Sequence, residues 1–373
     1  MKFPPKFPAR CGIVFVALLP LVTAQPAGAQ TASTVTPIGK RAEIKVPLGL
    51  PPVPVPPDNP LTEETIALGR RLYYDPGLSV DGTISCASCH APQFAFSDKR
   101  PVSEGVGGKP GTRHAPTVIN SAYSALQFWD GRARSLEEQA TGPMENPVEM
   151  AHSLDGVVKH VQADPTYRDL FKKAWGTDEI NIDLIAKSLA SFERTVIAGD
   201  SAFDRFFYGH EPQAMSPEAQ RGMKIFVNPK KGNCATCHTL GKEYSLFTDN
   251  KFHNLGIGAD TRGNLNDQGR YAVTKNDEDM GAFKTPSLRN LTNRGPYMHD
   301  GSFRTVKDAL GHYIGGGNWN SHLDKQIHSL DVLTFDERDE LLAFLDALNG
   351  KLPENIGPPA EFQKPAGTAA AGR

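Results

Sequence analysis

The chain has 373 residues, with 40 Lys+Arg against 42 Asp+Glu, 39% hydrophobic and 22% charged side chains. Its length suits about two domains. The near-balanced charge and pI near 6.6 exclude nucleic-acid binding as the main task, which needs a basic excess. The 35 Gly and 30 Pro amount to about a sixth of the chain against roughly 12% in average usage, which predicts long ordered loops. The apolar fraction is modest for this length, so something besides side chains is expected to help fill the core.

In chain order, residues 1–29 read as a secretory signal. Lys2, Lys6 and Arg10 precede an apolar stretch over 11–22, and Ala27-Gly28-Ala29 offers a small-residue cleavage site. The apolar stretch is too short to span a bilayer, and no other segment is long and apolar enough, which predicts an exported protein with no membrane span. Residues 30–58, with Pro51, Pro52, Pro54, Pro56 and Pro57, read as an extended arm. Thr62 followed by Glu63 and Glu64 starts a helix, and Ser216-Pro217-Glu218 starts another with Pro at its first position. Ile182, Ile185, Leu189, Phe192 and Val196 recur at helical spacing within 181–199. Thr305-Val-Lys-Asp308 and Thr334-Phe-Asp-Glu337 are N-terminal capping patterns, as is Ser135-Leu-Glu-Glu138. Leu341, Leu342, Leu345 and Leu348 form one more apolar stripe, and residues 351–373 read as a flexible tail.

Four cysteines remain after the signal, as Cys86-Ala-Ser-Cys89-His90 and Cys234-Ala-Thr-Cys237-His238. An even number in an oxidising compartment ordinarily suggests disulfides. A histidine after each second cysteine has no purpose in a disulfide or redox pair, and a four-cysteine zinc site needs neither histidine. CxxCH is instead the attachment sequence of c-type haem. Two thiols add to the vinyl groups, and the histidine supplies an imidazole to iron. The sequence therefore predicts two covalently bound haem c groups, with Cys86, Cys89, His90, Cys234, Cys237 and His238 as their attachment and ligand residues.

A repeat accompanies the two motifs. Gly69-Arg-Arg-Leu-Tyr-Tyr-Asp-Pro76 precedes the first, and Gly222-Met-Lys-Ile-Phe-Val-Asn-Pro229 precedes the second. The copies lie too far apart for a solenoid and suit two tandem domains. Period-2 strands are almost absent. The expected fold is mainly α, with two tandem cytochrome c-like domains over 59–199 and 200–350 and long ordered loops.

Further motifs carry a family resemblance over roughly residues 60–350. They are Arg113-His-Ala-Pro-Thr117, Gln127-Phe-Trp-Asp-Gly-Arg132, Glu137-Glu-Gln-Ala140, Gly142-Pro143, Asn146-Pro-Val-Glu-Met150, Thr285-Pro-Ser-Leu-Arg-Asn290 and Pro296-Tyr-Met-His-Asp-Gly301. With the haem motifs they make the chain resemble the bacterial dihaem cytochrome c peroxidases and their relative MauG. The resemblance implies a peroxidatic haem 1 in the N-terminal domain and an electron-transfer haem 2 in the C-terminal one. Peroxide reduction needs an open iron position and a group that moves a proton from the inner to the outer oxygen. The resemblance gives Glu149 that role, sets Gln139 in the same pocket, and places Trp129 between the haems as an electron relay. His253, in Phe252-His-Asn-Leu-Gly256, is read as a structural histidine, as are His152, His160, His210, His322 and His328.

In peroxidases of this family a methionine fourteen residues after the histidine of the Pro-Tyr-x-His motif usually ligates haem 2. From His299 that count reaches Tyr313, the residue type of MauG-like members. On a helix begun at Thr305, Val306, Leu310 and Tyr313 share one face while His312 is turned about 100° away. His312 and Met298 stay open as alternative ligands. The family also holds a calcium ion through an asparagine side chain and two backbone carbonyls. The carbonyls correspond to Arg294 and Pro296, but His114 stands at the asparagine position, and calcium prefers oxygen.

The expected function is a periplasmic peroxidase reducing hydrogen peroxide with electrons from a small donor, a cytochrome c or cupredoxin. One alternative is a MauG-like enzyme that oxidises residues of a partner protein. Another is a plain dihaem electron carrier, which needs neither Glu149 nor Gln139. Dimers are common in the family, and the sequence leaves the oligomeric state open. Many relatives rest with a distal histidine blocking haem 1; its position here is Val106, which cannot ligate iron. An open resting site is expected, against a rearranged 105–111 loop that brings His114 to the iron.

Overall fold

The computed structural model describes residues 35–363, and the expected signal segment 1–29 lies outside them. The described residues are mostly helical. The first half carries α1 (Glu63–Tyr74), α2 (Cys86–Cys89), α3 (Leu136–Glu145), α4 (Leu154–Ala163), α5 (Pro165–Trp175) and α6 (Ile182–Glu193). The second carries α7 (Ala202–Phe207), α8 (Pro217–Val227), α9 (Tyr271–Thr274), α10 (Val306–Ile314) and α11 (Phe335–Asp346). Two short strands, β1 (Phe252–His253) and β2 (Phe283–Lys284), pair antiparallel.

The capping residues act as their chemistry requires. Thr62 accepts from the Thr65 amide at 3.1 Å, and the Thr65 hydroxyl, rather than a glutamate, completes the reciprocal cap. Ser216 caps α8 with Pro217 at its first position, and Thr305 and Thr334 form capping boxes on α10 and α11.

The repeat has a packing cause. α1 crosses α6, and α8 crosses α11, each at the glycine that opens a repeat copy. A Cβ on Gly69 would lie 1.8 Å from the Ser188 carbonyl oxygen, and one on Gly222 would lie 1.9 Å from that of Glu340. Each helix pair thus meets backbone to backbone, closer than any larger residue permits. Around the first crossing, Leu68, Leu72, Tyr73, Leu189 and Phe192 build one apolar centre. Around the second, Ile225, Phe226, Leu341, Phe344 and Leu345 build another. The described residues nevertheless pack as one compact unit, because loops between helices bond across the two centres.

The arm over 35–58 is irregular and extended, as its prolines require. It is also pinned: Leu50 is buried with Tyr123 and Ile197, Arg194 donates to the Pro54 carbonyl, and Arg289 donates to that of Gly49. The flexible tail expected from 351 onward is corrected for its described part. Ile356 is buried in the first centre, the Tyr74 hydroxyl donates to its carbonyl at 2.7 Å, and Arg70 donates to Gly357 at 2.6 Å. One isoleucine in a Pro- and Gly-rich run has no periodicity to reveal it, yet its burial and these two polar bonds hold the segment on α1.

Gly69→Ala and Gly222→Ala should each destabilise the protein by about 1–3 kcal/mol, the usual cost of overpacking. Urea denaturation of the haem-loaded protein measures this, and an unchanged midpoint would show that the crossings relax freely.

Candidate functional site

The second CxxCH motif opens onto a cavity of about 280 Å³. Cys234 heads a tight turn in which the His238 amide donates to the Cys234 carbonyl at 2.9 Å, so both thiols and the imidazole face one space. His238 Nδ1 donates to the Phe247 carbonyl at 2.9 Å, which leaves Nε2 as the free lone pair. Burial pushes this imidazole down to about 4, so it is neutral, as an iron ligand must be. Phe226, Leu291, Val306, Leu310 and Leu345 give the cavity apolar walls. Unbridged thiols, a neutral imidazole and an apolar slot fit a covalent haem.

α10 carries the expected sixth-ligand position. Val306, Leu310 and Tyr313 share its inner face, and Tyr313 lines the cavity. His312 is turned outward: its Nε2 bonds to the Leu255 carbonyl at 2.9 Å, and it is not part of the cavity wall. Met298 does line the wall. Burial raises the Tyr313 phenol, with the Cys234 and Cys237 sulfurs adding to the effect.

The first motif occupies α2, with His90 capping it and its amide donating to the Cys86 carbonyl at 2.9 Å. Burial raises both the Cys86 and Cys89 thiols and lowers the His90 imidazole. α3 ends at Glu145, and the chain turns through Asn146 to Glu149, whose carboxylate lies close enough to Cys89 to raise its thiol further. Burial raises the Glu149 carboxyl, while the Arg132 cation and the Asn146 amide oppose it. Asn146 Nδ2 donates to Glu149 Oε1 at 2.6 Å, holding one oxygen and leaving the other free. Gln139 stands half-buried on α3.

Val106 is buried against this carboxylate's own segment, its amide donating to the Glu149 carbonyl at 2.8 Å. A Cβ on Gly105 would lie 2.2 Å from the Val148 carbonyl oxygen, so only glycine allows the loop this close. His114 lies elsewhere. Both its ring nitrogens are engaged, at 3.1 Å to Ser97 Oγ and 3.1 Å to the Arg100 carbonyl, and it sits near His90. The rearranged-loop alternative has no support in this arrangement.

Between the motifs, Trp129 lines the cavity and its indole N–H donates to the His114 carbonyl at 2.8 Å. The Lys284 amide donates to the Trp129 carbonyl at 2.8 Å, and the His114 amide donates to the His299 carbonyl at 2.7 Å. Arg113 secures the segment with two bonds to Asp267, at 2.7 and 2.8 Å, and one to Asp130 at 2.7 Å.

The expected calcium set does not fit. His114 offers nitrogen where calcium needs oxygen, and both its nitrogens are already used. The Arg294 guanidinium is buried in the same neighbourhood, close enough to depress the His114 imidazole, and its charge repels a divalent cation. Carbonyl positions at Arg294 and Pro296 do not offset this.

His253, read from the sequence as structural, is held between two carboxylates. It lines the cavity, with Nδ1 at 2.5 Å from Asp324 and Nε2 at 3.0 Å from Asp249. The Cys237 sulfur as hydrogen-bond partner, then Asp324 and Asp249, push its imidazole up to about 10 against burial. Its carboxylate partners stand 4 and 71 positions away, so only the nearer was within reach of sequence reasoning. Lys284 was missed as well; a lysine amid Ala282, Phe283 and Thr285 was the available signal.

The comparisons agree with this geometry. A family model described as di-haem cytochrome c peroxidase matches residues 63–212. The methylamine utilization protein MauG of Methylorubrum extorquens is 41% identical, over 80% of this chain and 82% of that protein. The cytochrome c551 peroxidase of Nitrosomonas europaea is 35% identical, over 84% and 89%. A crystal structure of a MauG-like protein associated with microbial copper homeostasis superposes with a TM-score of 0.76 at 32% identity, covering 87% of this chain and 99% of that one.

Asp267→Asn removes the bidentate partner of Arg113 and should destabilise the protein by about 1.5–3 kcal/mol, the range for hydrogen bonds to charged groups. Thermal unfolding followed by circular dichroism measures the loss. A wild-type transition would show that Asp130 alone holds Arg113.

Proposed function

Because this chain belongs to the di-haem cytochrome c peroxidase family, it is a haem peroxidase with two haem groups, and we propose that it reduces hydrogen peroxide in the periplasm with electrons taken singly from a small redox protein. Both haems are covalent, through Cys86 and Cys89 with His90, and through Cys234 and Cys237 with His238. Two tandem cytochrome c-like domains carry them, a division supported by the two apolar centres and the paired glycine crossings. No helix among the described residues is long and apolar enough to cross a membrane.

When bound, haem iron supplies the position that takes peroxide and the path for its reducing electrons. Proton handling falls to the chain. The observation that carries the reading is Glu149, a shielded carboxylate beside the first haem motif with one oxygen held by Asn146. Its free oxygen takes the proton from the inner peroxide oxygen and returns it to the outer one, so that water leaves. Two electrons and two protons in all convert hydrogen peroxide to two waters. Burial keeps the carboxyl raised above its ordinary value, which suits a group that must both accept and give a proton. Gln139 shares this pocket from α3. Trp129 relays electrons between the sites, a role supported by its place on the cavity wall and its bond to the His114 backbone.

Tyr313 would hold haem 2 together with His238. Its placement on the cavity wall, with His312 bonded elsewhere, supports this choice. An anionic oxygen ligand favours ferric and higher iron, where methionine would raise the potential. The same residue favours a second reading, in which the oxidising equivalents act on residues of a partner protein. The 41% identity with the M. extorquens MauG points the same way. An open resting site at haem 1 is supported by Val106, which fills the blocking position with an apolar side chain.

Glu149→Gln should keep both haems and slow peroxide cleavage by at least about 10², read by stopped-flow absorbance; wild-type kinetics would remove Glu149 from the mechanism. Tyr313→Phe should leave haem 1 intact while changing the spin state of haem 2 in electron paramagnetic resonance. Unchanged spectra would return the ligand role to Met298. The diferric wild-type protein should carry a high-spin haem 1 beside a low-spin haem 2 and respond within milliseconds to stoichiometric peroxide. Two low-spin haems, inert until half-reduced, would refute the open site. Subsequent mixing with a reduced cytochrome c or cupredoxin tests the donor: rapid oxidation supports the small-donor reading, and a persistent oxidised state supports the protein-substrate one.

A further inference from the structure

The haem 2 cavity holds two cations that no carboxylate among the described residues neutralises. Lys284, on β2, lines the cavity, and its ammonium has one weak polar contact, Ser124 Oγ at 3.3 Å. Arg294 also lines it, is 9% exposed, and donates through Nη2 to the Ser287 carbonyl. Among the described residues no carboxylate pairs with either. The nearby acids are engaged: Asp249 and Asp324 flank His253, and Asp130 and Asp267 bind Arg113. Burial and mutual repulsion with Arg294 push the Lys284 ammonium down to about 8, and burial pushes the Arg294 guanidinium down to about 10. Two shielded like charges facing one cavity cost several kcal/mol unless an anion enters it.

The chemistry of the cofactor supplies that anion. Thioether bonds to Cys234 and Cys237 fix the vinyl edge of haem 2 at those cysteines. Its two propionates lie on the opposite edge and cannot enter the apolar wall of Phe226, Leu341 and Leu345 without large desolvation cost. The structure thus points to Lys284 and Arg294 as the partners of the haem 2 propionates. Lys284 is a positioning and potential-setting residue, and its backbone bond to Trp129 ties this edge of the cofactor to the relay residue. A cation held there favours the reduced haem, which carries one negative charge more than the oxidised form.

This inference rests on the covalent haem 2 of the proposed function, and the test separates the two. Mass spectrometry of the holoprotein first counts haems; a wild-type chain without haem at Cys234 and Cys237 would refute the haem reading itself. Spectroelectrochemistry then gives the haem 2 midpoint for wild type, Lys284→Met, Lys284→Gln and Lys284→Arg, with Lys242→Met, at a solvent-exposed position, as a control. Loss of the charge should lower the equilibrium constant for haem 2 reduction at least about tenfold, which is 59 mV for one electron. Lys284→Arg and Lys242→Met should stay at the wild-type value. The propionate-bending band in resonance Raman spectra should shift in Lys284→Met and Lys284→Gln only. A wild-type midpoint in both neutral variants would overturn the inference. So would an equal fall in Lys284→Arg, which would mark a packing effect.

Discussion

Arg113 is the residue on which the relation between the two haem sites depends. Its guanidinium spans Asp130, which follows Trp129, and Asp267, which belongs to the second half of the chain. It also lies over the Phe283 ring, 5.2 Å from the centroid. A planar cation with a fixed fork of donors can join three separate segments in one geometry, whereas lysine presents only a point charge. The indole and the His114 and His299 backbones fall into place beside it. Trp129 consequently stands on the wall of one haem cavity while bonded to a residue that neighbours the other haem's histidine.

Charge is distributed around the sites according to what each must tolerate. At the first, burial raises the single shielded carboxyl of Glu149 above its ordinary value, against Arg132 and Asn146. At the second, His253 is clamped between two carboxylates, while Lys284 and Arg294 face the cavity without any. Near Arg294, His114 is already bound to Ser97 and Arg100.

The modest apolar content fits cores built around a cofactor. The second centre is grouped around the helix crossing at Gly222, and several of its residues, among them Phe226, Leu310 and Leu345, face the cavity as well. A haem bound between these walls would extend the core with apolar surface that the chain itself lacks. The close crossings at Gly69 and Gly222 set where each haem motif begins, because the chain runs from that helix through a short loop into the cysteines.

Local chemistry was written in the sequence. The haem motifs, the helix caps, the repeated glycine and the α10 face bearing Tyr313 depend on residues within a few positions of one another, so spacing alone carries them. Glu149 and Trp129 were legible through the motifs around them. Tertiary structure decided what long-range contact controls. It placed His114 beside His90, and it brought Asp324 onto His253. It packed Ile356 onto α1 and left Lys284 and Arg294 facing a cavity without carboxylates. None of these follows from periodicity, because the energy of a buried charge or a closing contact depends on partners that only the folded chain brings together.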